Sequence, residues 1–179
     1  NEYSDYYIWD DNVFEGHLVG MSGNAPRNGT YAVNFFCFQP ALNYGYYKKE
    51  YSWQFDYKDE RLSALHNKVV DIMKFWLDKG VDGFRCDMAS SIVKNDVNGQ
   101  GSCEIWRKLF GEVRESYPQA IFISEWGQPE YAVGSGAFDI DFFTHCYNDG
   151  YNNLFRKESG CNIFDSSGDS YFRKGGKGE

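Results

Sequence analysis

No apolar run in this chain approaches the roughly 20 residues needed to cross a bilayer, so no membrane partner is expected. Nor is there a surplus of positive charge. Against 26 Asp and Glu stand 18 Lys and Arg, a formal net charge of −8. The bases are scattered, and phosphate binding needs a basic patch, so no nucleic-acid partner is expected. The one basic cluster, Arg173-Lys174 through Lys177, sits in a Gly-rich tail that reads as flexible chain rather than a recognition arm. Cys37, Cys86, Cys103, Cys146 and Cys161 are odd in number and contain no Cys-x-x-Cys spacing, which argues against zinc and against a disulfide framework. Unpaired thiols lean toward a reducing, cytoplasmic compartment, but location stays open: no signal peptide is visible, and the true N-terminus is expected to lie upstream. Asn28-Gly29-Thr30 fits a glycosylation sequon, a pattern too frequent by chance to imply secretion. There is no Gly-x-Ser-x-Gly elbow and no His-Glu-x-x-His helix. Lys174-Gly175-Gly176-Lys177-Gly178 has neither the spacing nor the hydroxyl of a phosphate loop.

What is present is a sugar-like chemistry. Gly83-Phe84-Arg85-Cys86-Asp87 and Ile121-Phe122-Ile123-Ser124-Glu125 are two apolar runs that each end in a carboxylate, and both read as buried parallel strands. In parallel sheets the loops at the C-terminal strand ends build the site, so each run delivers its acid into a cleft. Breaking an acetal takes one carboxylic acid to protonate the leaving oxygen and one carboxylate to attack or stabilise the anomeric carbon. Arg85 and Asp87, two apart, share a strand face that would otherwise be core, where charges must satisfy each other or a polar ligand. Arg-x-Asp alone reads as a structural ion pair; the repetition of the strand-plus-carboxylate pattern moves the reading toward a site. Cys86, on the opposite face, reads as a small buried hydrophobe. Aromatics reach 19%, with 14 Tyr and 5 Trp offering flat faces of the kind sugars stack on, although many such residues are ordinary core.

At these residues the chain resembles the α-amylase family of retaining glycosidases, whose nucleophile motif is Gly-Phe-Arg-x-Asp-x-Ala and whose acid strand ends in Glu-Trp or Glu-x-Trp. Gln39-Pro40-Ala41-Leu42-Asn43 is similar, with one substitution, to the Gln-Pro-Asp-Leu-Asn signature of the oligo-glucosidase branch, and Tyr6-Tyr7-Ile8-Trp9 resembles the stretch after that branch's third barrel strand. The resemblance implies a nucleophile at Asp87, an acid/base at Glu125 and a polarising cation at Arg85. It also implies substrate contacts at Trp126, Ala89 and Ser90, with Trp126 as a wall that desolvates the acid. Ser90-Ser91 stand where endo-acting members carry Lys-His, which fits a short-oligosaccharide enzyme; no cofactor or metal is expected, with calcium left open although its usual site pattern is unmatched. The Asp-x-x-x-Asn-His and Asn-His-Asp motifs of the third and seventh strands do not occur, and His17, His66 and His145 lack the required neighbours. The chain is therefore expected to be the central piece of a larger enzyme and inactive alone, since a full barrel needs about 250 residues.

The expected fold class is α/β: a partial (β/α)8 TIM barrel, about strands 4 to 6 with their helices, plus part of the domain inserted after strand 3. Residues 1–58 are assigned to that loop-rich insert, with a strand over Tyr31–Phe38, and 59–179 to the barrel. The spacing predicts a helix over about 60–79, its stripe Leu62, Leu65, Val69, Ile72, Met73 and Trp76, stopped by Gly80. A second helix is predicted over about 103–116, with stripe Ile105, Trp106, Leu109, Phe110 and Val113, ended by Pro118. Phe138–Phe143 reads as a third parallel strand whose Asp139 and Asp141 are more readily paired or solvent-facing edge residues than catalysts. Three activities stay open: hydrolysis of α-glucosidic bonds in oligosaccharides or starch-type glucans, transglycosylation or sugar isomerisation by the same machinery, and non-catalytic sugar binding.

Overall fold

The computed structural model describes residues 3–10, 20–22, 30–34, 36 and 38–142. In chain order its elements are β1 (Trp9–Asp10), β2 (Gly20–Ser22), β3 (Thr30–Ala32), α1 (Ser63–Asp78), β4 (Gly83–Cys86), α2 (Gln100–Arg114), β5 (Ile121–Ser124), α3 (Pro129–Ala132) and β6 (Ile140–Asp141). They gather into two compact units, one from the described residues up to Val69 together with Ile92–Gly101, the other from Val70–Ser91 together with residues from Ser102 onward. These units cut across the 58/59 boundary. The reason is local: Lys94 N–H donates to the Gly45 carbonyl (2.9 Å) and Tyr47 N–H to the Lys94 carbonyl (2.8 Å), which ties the loop after β4 to the front of the chain. Among the described residues no helix is long and apolar enough to cross a membrane.

In the first unit β3 lies between β1 and β2, antiparallel to both. The alternation from Tyr31 predicts one strand to Phe38, but β3 ends at Ala32. The chain turns there, with Asn34 N–H on the Gln39 carbonyl and Gln39 N–H on the Phe36 carbonyl, both 2.9 Å. That turn returns Gln39–Asn43 alongside. Ala41 N–H donates to Ala32 (2.8 Å), Ile8 N–H to Ala41 (3.2 Å) and Asn43 N–H to Tyr6 (2.8 Å), so this motif stitches the β1 and β3 segments together. Ile8, Ala32, Ala41 and Tyr46 form the small core they enclose, with Trp53 against it. Asn43 is buried, its amide donating to the Asp5 carbonyl and its Oδ1 accepting from Gly45 N–H at 3.1 Å.

Asp59 opens the helical stretch as an N-cap: its Oδ1 accepts from Arg61 N–H at 3.0 Å, and a short 3-10 turn, Glu60–Leu62, feeds α1. The hydrogen bonds and charge of Arg61 hold the Asp59 carboxyl at about 2. Gly80, at φ +95, ends the helix region by adopting the left-handed conformation that L side chains avoid, and its N–H returns to the Leu77 carbonyl (2.9 Å). The buried positions of α1 are Leu65, His66, Val70, Met73 and Leu77; Ile72 and Trp76, expected inside, are each 50% exposed. The helix carries apolar residues on two adjoining arcs, and burial is centred on the Val70–Leu77 arc rather than on the one shared by Ile72, Phe75 and Trp76.

The second unit holds a parallel sheet in the order β4-β5-β6. Successive parallel strands need a crossover, and α2 supplies it between β4 and β5. Its stripe is as the spacing predicts: Ile105, Trp106, Leu109, Phe110 and Val113 are all at most 5% exposed. Phe110 stacks on Phe122 of β5 at 3.7 Å between ring centroids, and Phe138 packs edge-on against both Trp106 and Phe110. Gly83 opens β4 because a Cβ there would drive into the backbone carbonyl of Ile121 on β5. α3, opened by Pro129 at its first position, is an addition the periodicity did not show. The third strand is shorter than expected, Ile140–Asp141, and Phe143 lies outside the described residues, as do Asn28, Gly29, Cys37, Cys146, Cys161, His17, His145 and the basic tail.

Candidate active site

Parallel pairing of β4 with β5 puts Cys86 opposite Ser124, so the residues that follow, Asp87 and Glu125, leave the sheet side by side at its C-terminal edge. Glu125 N–H still donates to the Cys86 carbonyl (3.0 Å), which carries the ladder one step past the assigned strands. Side chains alternate across a strand, so Phe84 and Cys86 face one way and Arg85 the other. Phe84 stacks on Phe122, and Cys86 is a buried free thiol whose pKa burial pushes up to about 12. It is an inert packing group, as its position between Arg85 and Asp87 implied.

Arg85 joins the two acids. One terminal nitrogen of its guanidinium pairs with Asp87 Oδ1, and the other sits 2.6 Å from Glu125 Oε1. The hydrogen bond it donates to Asp87, then the charges of Glu125 and Asp87, hold the guanidinium still more firmly protonated than usual. The expectation that this face is core is corrected. Side-chain exposure is 41% for Arg85, 68% for Asp87 and 38% for Glu125. Polar groups that open to solvent need no partner to offset desolvation, so in this chain the cluster is exposed rather than a buried ion pair.

Met88 completes the arrangement and could not be read from the sequence. Its φ of 49° places a side-chain-bearing residue in the left-handed region, a conformation that costs on the order of 1–3 kcal/mol. The turn aims its N–H at Glu125 Oε2, 3.1 Å away. Glu125 thus accepts from Arg85 on one oxygen and from the backbone next to Asp87 on the other.

The remaining expected site residues are placed differently. Ala89 has no exposed surface, and its carbonyl accepts from the Trp106 indole at 2.9 Å; it anchors the turn after Asp87 to α2. Trp126 is 7% exposed, so its ring is packed away rather than presented as a wall. Ser90 is half-buried, its carbonyl accepting from Ser102 Oγ at 3.3 Å. Asp139 is an ion-paired residue, as expected, with Arg114 at 2.6 Å and Phe122 N–H at 2.8 Å on its carboxylate. Asp141 is also fully engaged, by Ser124, Trp126 and Gln128. No group of three or more His, Cys, Asp or Glu converges on a metal position among the described residues.

Two acids and a shared cation thus stand together at the C-terminal edge of adjacent parallel strands. The alpha-amylase catalytic-domain model matches residues 1–132, and the chain belongs to that family. It is 28% identical over 131 residues to Alpha-amylase 3 of Dictyoglomus thermophilum, covering 73% of this chain and 22% of that protein. It is 32% identical over 103 residues to the Oligo-1,6-glucosidase of Bacillus sp. strain F5, covering 52% of this chain and 17% of that protein. The chain thus spans about a fifth of the length of these curated relatives. Among solved structures, Eubacterium rectale Amy13B superposes with a TM-score of 0.57 at 22% identity, over 98% of this chain and 27% of that one. That likeness gives the fold, which is of the TIM-barrel type.

Proposed function

We propose that the protein carrying this chain is a retaining glycoside hydrolase acting on α-glucosidic bonds of oligosaccharides or starch-type glucans. The observation that supports it best is the single guanidinium bridging Asp87 and Glu125 at the mouth of adjacent strands. In this reading β4, β5 and β6 are the fourth to sixth strands of the barrel, and residues 1–58 belong to the domain inserted after the third.

The roles of the two acids are those that the motif resemblance implies. Asp87, the more exposed acid, attacks the anomeric carbon while Glu125 in its acid form protonates the departing glycosidic oxygen. The C–O bond to the leaving sugar breaks as the ester to Asp87 forms. Glu125, now a carboxylate, takes a proton from water, whose oxygen displaces Asp87 from the same carbon. Two inversions give net retention. Direct attack needs the two carboxyls about 5–5.5 Å apart in the assembled barrel, and a separation of about 6.5–9.5 Å there would count against it. Arg85 orients Asp87, and Met88 N–H orients Glu125. Ser90, half-buried just past the nucleophile turn, is the best placed of the other expected residues to meet a sugar hydroxyl. Similarity to the Bacillus oligo-1,6-glucosidase makes the α-1,6 linkage the substrate to test first.

The test is a proton NMR time course of the full-length protein on short α-1,4 and α-1,6 gluco-oligosaccharides, with Asp87→Asn as control. The α-anomer is expected first, and is lost in the control; first appearance of the β-anomer, or turnover undiminished by Asp87→Asn, would overturn the reading.

A further inference from the structure

We infer that Asp141, on β6, is a positioning residue that fixes the acid/base Glu125 without touching substrate. This rests on the proposed glycosidase reading and names a part of that site which neither the motif nor the strand pattern assigns.

Glu125 is the first residue beyond β5, and its N–H makes the last ladder hydrogen bond to β4. A side chain there keeps its aim only if the backbone on both sides is held by something else. Asp141 holds both sides. Its Oδ1 accepts from Ser124 Oγ at 2.6 Å and from Trp126 N–H at 3.0 Å, the residues immediately before and after Glu125. Its Oδ2 accepts from Gln128 N–H at 2.8 Å, which bends the following loop back over β6. Glu125 N–H itself is tied to Cys86 on the other neighbouring strand. The acid is therefore clamped between β4 and β6, with one carboxylate serving three donors.

The parallel register makes this possible, since Ser124 lies directly opposite Asp141. Ser124 is completely buried and spends its hydroxyl on Asp141 Oδ1 and the Ile140 carbonyl (3.3 Å). Asp139 uses its carboxylate in a parallel but different way, on Phe122 N–H and Arg114 three residues before the acid. That difference separates a residue that holds the strand from one that holds the acid. Charge-assisted bonds to a carboxylate are roughly twice as strong as neutral ones, so loss of Asp141 should loosen this turn more than loss of a neutral partner would.

The experiment compares kcat/KM of the full-length protein on a gluco-oligosaccharide and on α-glucosyl fluoride. Sugar leaving groups need proton donation; fluoride needs much less, so the ratio reports the acid's aim. Asp141→Ala should lower oligosaccharide turnover roughly 10²-fold and fluoride turnover less than roughly 5-fold, with the Asp87-dependent step intact. Ser124→Ala, which removes one of the three hydrogen bonds, should show the same selectivity at roughly 3- to 10-fold and guards against a variant that fails to fold. Equal loss on both substrates, or no loss on either, would overturn the positioning role. Glu125→Gln run beside them separates the causes: if it too shows no selectivity, the acid assignment of Glu125 fails, and this inference fails with it.

Discussion

At the residue scale, Arg85 is predicted to matter for activity and little for stability. It is 41% exposed, and exposed ion pairs are worth less than about 1 kcal/mol, so its removal should barely move unfolding. Its geometry carries the weight instead. A guanidinium presents two terminal nitrogens in a fixed fork, and here each meets a different acid. Lys offers one point of charge and cannot bridge both. Arg85→Lys in the full-length protein is therefore predicted to lower kcat/KM roughly 10²-fold while shifting thermal unfolding by no more than a few degrees. Steady-state kinetics and calorimetry check it; equal activity would mean that the fork is not used. Met88 makes the complementary point. Its contribution is a backbone N–H turned by a φ of 49°, and nothing in the identity of a methionine announces that conformation.

At the element scale, the close approach of β4 to β5 explains why β4 begins with glycine. β4 passes so close to β5 there that a Cβ would strike the Ile121 carbonyl, a backbone atom that cannot swing aside. Gly83→Ala should push the strands apart at Gly83↔Ile121, four residues before each acid, and destabilise the fold by about 1–3 kcal/mol. Chemical denaturation measures the loss, and a stability unchanged within error would contradict the close approach. The same scale shows what the sequence could reveal. The stripe of α2 was legible because five apolar positions at three and four spacing all face one packed layer. That of α1 was half legible, because Ile72 and Trp76 keep the helical period but belong to the exposed arc. The carboxylates were legible because parallel sheets deliver C-terminal strand residues to one edge. Asp141 was read as a paired residue, but its partners depend on the Ser124↔Asp141 register, which pairs residues 17 apart and leaves no local trace. The strand after Tyr31 was overextended because alternation cannot distinguish a strand from a tight turn that keeps the same in-and-out pattern.

At the scale of the whole molecule, the described sheet has three strands, and β4 and β6 each pair only with β5. A closed barrel removes its sheet edges; a three-strand parallel sheet has two, and each presents unpaired backbone donors and acceptors. Ile72, Phe75 and Trp76 add an apolar arc on α1, each 50–53% exposed. Exposed apolar patches of that kind favour association, and the formal charge of −8 opposes it only at long range and low salt. A polypeptide of residues 1–179 expressed alone is therefore predicted to self-associate, more strongly as salt rises and screens the charge, and to show no glycosidase turnover. Light scattering across a salt series checks the first part, and the oligosaccharide assay the second. If association instead weakened with salt, charge pairing rather than apolar surface would be its cause. Trp76→Lys and Phe75→Lys, on the exposed arc and remote in sequence from the acids, should reduce association if the helix face is responsible; association undiminished in both would place it at the open strand edges.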